Sequence, residues 1–315
     1  MVNEYSRSDY STRLHRQQAF QSALLVIFIV IIIALLSLFF IEWRNRLGNN
    51  QADLLQLWES GAYSEAFALS GELLESKPMD HFLLTIHGFA AYELALAQIN
   101  NMDTQIYIDE CIWSLRKAML VEDTKDGRIQ YVLGKAYYNK GLAYADMAVK
   151  FLEEAREASF NAGDIPEYLG LSYANLQDYR NSVAAFSLAL DPSENTTSYP
   201  SDLLLLSIAH SYIELEDLTT ARAYLIRCVE TSRDSRKVVV ARLLLGDILN
   251  KSGDARGAEQ EYLAILSEDS ENAEAHYQLG ELYAASNDTT RARAEWRKAV
   301  RIDSAHKAAR ARLNI

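Results

Sequence analysis

Proline and glycine are scarce in this chain, at 4 and 13 of 315 residues. So few backbone breakers leave little room for the many turns of an all-β fold, and they favour helices. Cysteine is scarcer still. Cys111 and Cys228 are too few for a disulfide framework, and two lone thiols suit an oxidising or a reducing compartment equally. The sequence has no H-E-x-x-H, C-x-x-C, G-x-G-x-x-G or G-x-x-x-x-G-K-[ST] run, so zinc-protease, dinucleotide and P-loop chemistries have no local support. Most of the chain has no net positive charge. Residues 47–290 carry a net −20, which disfavours nucleic-acid binding, because phosphate contacts need clustered Lys and Arg.

Charge is absent altogether from Ala23 to Ile41, ALLVIFIVIIIALLSLFFI, where Ser37 is the sole hydroxyl. At roughly 1.5 Å per residue a helix of this length spans about 28 Å, close to the hydrocarbon core of a bilayer. Trp43, Arg44 and Arg46 follow at once, an interfacial aromatic and two snorkelling cations. A cleaved signal peptide has an apolar region of about 7–15 residues ending in small residues. This run is longer and ends in Phe39-Phe40-Ile41-Glu42, so a retained anchor is expected: tail 1–22, transmembrane helix 23–43. Arg7, Arg13 and Arg16 precede the span. Arg44 and Arg46 follow it, and the next cation is Lys77. The positive-inside rule then favours a cytoplasmic N-terminus and an extracytoplasmic, periplasmic remainder.

The remainder is a repeat. From Ala273 it reads AEAHYQLGELYAASNDTTRARAEWRKAVRIDS, with Leu279-Gly280, Tyr283, Ala292, Trp296 and Ala299. The same frame gives Leu245-Gly246, Ala258 and Tyr262, and then Ile208-Ala209, Ala221, Leu225 and Cys228. Upstream come Leu169-Gly170, Ser182, Phe186 and Ala189, then Leu133-Gly134, Ala148, Leu152 and Ala155. A divergent unit holds Gly88, Cys111, Leu115 and Ala118, and a first unit holds Gly61, Ala66 and Pro78. The period is near 34 residues. This pattern resembles the tetratricopeptide repeat (TPR), and the layout is similar to membrane-anchored bacterial TPR proteins. It departs from the family in lacking the early tryptophan of the first helix. The second unit is also too long, with its excess near Ala97–Tyr107; two helices overshooting the stack into a raised loop are expected there. Asp191–Ser201 reads as an extended loop.

The resemblance implies an all-α fold: a right-handed α-solenoid of about seven helix pairs over 50–305, a capping helix over 306–315, and a transmembrane helix in front. It also implies a concave groove lined by first-helix residues, here Phe89, Tyr92, Tyr131, Lys135, Tyr138, Leu206, His210, Tyr277 and Glu281. Such a lining suits an extended peptide or a partner helix. A second candidate surface is the basic C-terminal end, with Arg297, Arg301, Lys307, Arg310 and Arg312 on a stretch that nets +6 from Arg291 to Arg312. The partners expected are other proteins, lipid through the anchor and, further, copies of the chain itself; no cofactor or metal is implied. The family resemblance points to a scaffold for a multiprotein envelope complex, such as a flagellar motor accessory, a secretion system or outer-membrane assembly. The alternatives are a cytoplasm-facing targeting receptor and an enzyme with an unrecognised site. Ser114-Leu115-Arg116-Lys117 and Gly170-Leu171-Ser172-Tyr173-Ala174 mimic serine-enzyme motifs, but both lie on helix-pairing positions with no partner motif or preceding strand. His87 and His276 also sit at pairing positions, where packing is the expected role.

Overall fold

The computed structural model describes residues 51–122, 126–190 and 201–315. The expected anchor Ala23–Ile41, its flanks, and all but Ser201 of the expected Asp191–Ser201 loop lie outside the described residues. Among the described residues there is no strand, and no helix is long and apolar enough to cross a membrane. The helices are α1 (51–59), α2 (Tyr63–Ser76), α3 (His81–Ala97), α4 (Asn101–Val121), α5 (Gly127–Lys140) and α6 (Ala145–Glu157). Then come α7 (Ile165–Asn175), α8 (Tyr179–Ala189), α9 (Asp202–Glu214), α10 (Leu218–Thr231), α11 (Ser235–Lys251) and α12 (Ala255–Glu268). The last pair is α13 (Ala273–Ala285) with α14 (Thr289–Ile302), followed by the short α15 (Lys307–Leu313).

Local sequence sets where these helices start. Asp80, Asp126, Asp178, Asp217, Asp234, Asp254 and Asp288 each accept a backbone N–H of the following first turn. An aspartate there satisfies an orphan donor and complements the positive end of the helix dipole. In four units the turn before the second helix is the same. Gln177, Glu216, Gly253 and Asn287 adopt the left-handed conformation immediately before their capping aspartates. Seven of the chain's 43 acidic residues thus serve as helix caps.

Packing then builds the stack. Within units, α3 packs on α4, α5 on α6, α7 on α8, α9 on α10, α11 on α12 and α13 on α14. Each second helix also packs on the next first helix, from α4 on α5 to α14 on α15. First helices additionally touch their successors (α3 with α5, α5 with α7, α7 with α9). The first helices thus lie on the inner side of the curve.

Close approach within a unit depends on the small residue of the first helix. A Cβ added at Gly88 would lie 2.6 Å from Leu115, and one at Gly134 would lie 2.5 Å from Leu152. At Gly170, Gly246 and Gly280 it would lie closer still to the rings of Phe186, Tyr262 and Trp296. These large partners are buried, so neither side can yield without losing core contact. The fifth unit uses a smaller combination, buried Ala209 with Leu225 in the same frame. The expected overshoot is also present. At 17 and 21 residues, α3 and α4 exceed most of the other helices, and only Gln98–Asn100 link them. The extra length is therefore mainly helix, with Asn100 capping α4.

Gly280→Ala should destabilise the array by about 1–3 kcal/mol through overpacking against Trp296. The same change should cost less in a Trp296→Leu background, as the Ala209–Leu225 unit suggests; a double-mutant cycle by denaturant unfolding measures this coupling. The caps give a second expectation. The hydroxyl and amide of Thr220 hold the Asp217 carboxyl below its ordinary 3.8, and the backbone amides of Arg236 and Arg291 do the same for Asp234 and Asp288. Because the folded values are lowered, the stabilisation is present above the unfolded value near 3.8 and is lost as pH falls through the folded ones. Unfolding midpoints from pH 7 to pH 3 should fall in that acid window. Replacing the three aspartates together by Asn, which caps but does not titrate, should flatten the fall.

Candidate partner-binding groove

The inner surface divides into two parts with different chemistry. Around α5 it is aromatic and polar. Lys135 donates to Asp164 at 2.8 Å and to the Tyr131 hydroxyl at 2.9 Å, and Tyr131 in turn donates to Asp164 at 2.7 Å. The ammonium also lies 4.7, 4.9 and 5.9 Å from the ring centres of Tyr168, Tyr131 and Tyr92, within cation–π reach. Burial opposes the charge on Lys135, but its bonds to Asp164 and Tyr131 outweigh that and hold its pKa above the ordinary 10.5. Burial pushes the Tyr131 hydroxyl up to about 12 and raises Tyr138 and Tyr168 as well. Tyr138 meets Tyr168 edge to face. Lys135 therefore occupies a cage built by its own chain.

Further along, the surface is open and apolar. Leu171 and Ala174 from α7, Leu206 and His210 from α9, and Val240 and Leu244 from α11 line a hollow of about 330 Å³. Asn175 and Ser207 supply its polar edge. His210 and Val240 are exposed, and His210 lies 3.9 Å from Glu214. Three first helices thus present apolar side chains to one concavity, which suits alternate side chains of a peptide or one face of a helix.

The expected groove residues are distributed unevenly over these parts. Tyr131, Lys135 and Tyr138 come together, as do Leu206 and His210. Tyr92 is a correction: it is buried, and its hydroxyl accepts from Asn139, so it supports the surface from beneath. Phe89 is half-buried against Trp58. Tyr277 and Glu281 are engaged by the chain's own C-terminus. Arg312 on α15 bonds both carboxylate oxygens of Glu281, and the His306 ring lies 5.1 Å from Tyr277. The basic end is partly neutralised by that pair and by Lys298–Glu295, while Arg310 binds main-chain carbonyls. Arg297, Arg301 and Lys307 are exposed and make no ion pair among the described residues.

The remaining candidates are structural. Ser172 lies fully buried within α7, and Ser114 is buried and donates to Glu110. His87 is stacked on Phe67 and bonded to Ser70 at 2.8 Å, and His276 bonds Glu295 at 2.6 Å. Cys111 and Cys228 are buried, and burial raises both thiols above their ordinary range, away from reactivity.

Asp164→Ala should cost about 1–3 kcal/mol, because it leaves a largely buried ammonium short of its acceptor. Replacing both partners, Lys135→Met with Asp164→Asn, should recover most of that loss. Denaturant midpoints of the three chains check the comparison.

The family profile described as "Tetratricopeptide repeat" matches residues 204–235 and 273–306, in frame with α9–α10 and α13–α14. No curated protein matches the sequence. Among solved structures, the chain is similar to the C-terminal part of a TPR repeat-containing protein from Cytophaga hutchinsonii, with 14% identity and a TM-score of 0.59. The match covers 82% of this chain and 97% of that one. It is also similar to PilW, described as a widely conserved type IV pilus biogenesis factor (17% identity, 72% and 98% covered, TM-score 0.55). PilF of Pseudomonas aeruginosa is similar as well (14% identity, 72% and 96% covered, TM-score 0.53). At these identities the solved structures establish a shared fold. The chain therefore carries tetratricopeptide repeats over 204–235 and 273–306, within a helical stack that shares the fold of these proteins.

Proposed function

We propose that the chain is a membrane-tethered scaffold, which binds an apolar peptide or helix of another protein in the α7–α9–α11 hollow during assembly of a multiprotein envelope complex. The hollow is the observation that supports this most strongly. It is open and apolar, and it is walled by the inner helices of a TPR stack. A binding role fits the fold, and the near-motifs at Ser114 and Ser172 are sealed within helices.

The tether rests on the uncharged run Ala23–Ile41. Tail 1–22 would face the cytoplasm and the array, from about residue 50, would lie outside it. Confinement to a surface raises the effective concentration of the array toward membrane partners. The exposed cations Arg297, Arg301 and Lys307 would form a secondary docking end for acidic partners, sensitive to salt.

Two measurements on the full chain test this. Val240→Glu with His210→Glu alters exposed groove residues and should leave folding within about 0.5 kcal/mol, since surface changes rarely do more. Proteins that cross-link to the wild-type chain in membranes should be lost from this variant; unchanged capture would refute the groove. Protease added to sealed vesicles of inside-out orientation should spare the array and digest the tail. Digestion of the array would instead place it in the cytoplasm, as a targeting receptor requires.

A further inference from the structure

The outer face of α4 carries a seam that no other described residue covers. Met102, Ile106, Asp109, Trp113, Arg116 and Leu120 recur at alternating steps of four and three, which is the heptad spacing of a helix that pairs with another helix. The opposite face of α4 packs on α3 and α5 through buried Ile108, Cys111, Leu115 and Ala118. The four apolar members of the seam are exposed by 72% (Met102), 61% (Ile106), 54% (Trp113) and 84% (Leu120). Large apolar side chains aligned along one helix at this exposure mark an interaction surface rather than scattered surface hydrophobes. Beside Trp113 and Leu120 lies a hollow of about 400 Å³, bounded also by Ile112 and Lys140.

Charge along the seam selects the occupant. Its first half carries Asp103, Asp109 and Glu110, the last engaged by His87 and Ser114 of its own chain, and its second half carries Arg116 and Lys117. We infer that α4 is a self-association surface, on which the α4 helices of two copies pair antiparallel about a two-fold axis near Cys111. In this register Met102 of one copy lies opposite Leu120 of the other. Arg116 falls opposite Ile106, between Asp103 and Asp109, while Asp103 lies near Lys117. Parallel pairing in register would set each of these charges against its like, which disfavours it. Two-fold symmetry is the commonest closed arrangement, and it needs only one self-complementary patch. The present partners of the charged groups do not block it. Lys117 lies over the Trp113 ring at 4.5 Å, Lys140 bonds Asp109, and Arg116 donates to the Tyr137 hydroxyl. Asp109 and Arg116 are exposed and Lys117 and Lys140 are half-buried, so their charged ends can turn toward a second copy. Residues 102–120 span roughly 27 Å of helix. A seam this short gives modest affinity in solution. The surface is separate from the groove and does not require the membrane tether.

Disulfide trapping tests the register directly. Cys111 and Cys228 are buried and stay silent. Two full-length chains are prepared with tags of different size, one carrying Met102→Cys and the other Leu120→Cys. On mild oxidation their mixture should give a mixed dimer several-fold more abundant than the like-with-like dimer of either chain. Adding Ile106→Glu and Trp113→Glu, both at exposed positions, should remove that excess while circular dichroism shows the array still folded. Several outcomes would overturn the proposal: no excess in the mixture, a dominant dimer between two Met102→Cys chains, or an excess that survives the two glutamates.

Discussion

The stack depends on the contact between a small first-helix residue, glycine in five units and Ala209 in a sixth, and a large residue of the second helix. Gly88 with Leu115, Gly134 with Leu152, Gly170 with Phe186, Gly246 with Tyr262 and Gly280 with Trp296 bring paired helices too close to admit a Cβ. Each contact fixes how its two helices nest. It therefore fixes which residues turn to the inner face and which to the next unit. A single pair cannot bury its apolar side alone, so the stack is stable only as neighbours cover one another. At the C-terminal end α15 supplies that cover, with Ala309 fully buried and Arg312 clasping Glu281.

Much of this was legible in the sequence, because the repeat places chemically similar residues at equal intervals. The recurring small and large positions and the long second unit both follow from one 34-residue frame, whereas the capping aspartates became evident only in the structure. What the frame could not reach are contacts between units. The burial of Tyr92 and the enclosure of Lys135 by Asp164 and Tyr168 depend on how α3, α5 and α7 meet. Val240 and Leu244 reach the hollow from α11, which at 17 residues is longer than the 11 and 13 of α7 and α9. The occupation of Glu281 by Arg312 depends on where a short last helix folds back. The heptad seam on α4 was masked for another reason. Its apolar residues alternate with those that pack on α3 and α5, and only the three-dimensional arrangement separates the two faces.

Function on this scaffold divides by location. The inner face near Lys135 is already satisfied by its own chain, and the C-terminal end of the groove is closed by α15. Among the described residues the α7–α9–α11 hollow is an open apolar concavity, with room for a few side chains. The acidic character of the array serves capping and solubility, and specificity then falls to shape and apolar contact.

The most direct measurement is site-specific photo-cross-linking of the full chain in intact cells. Probes would be placed at His210 and Val240 inside the hollow, and at the exposed Arg222 and Gln260 on the second helices α10 and α12. A scaffold that works through its groove gives adducts with the same partner from the first two positions and none from the last two. Adducts from Arg222 and Gln260 alone would contradict it.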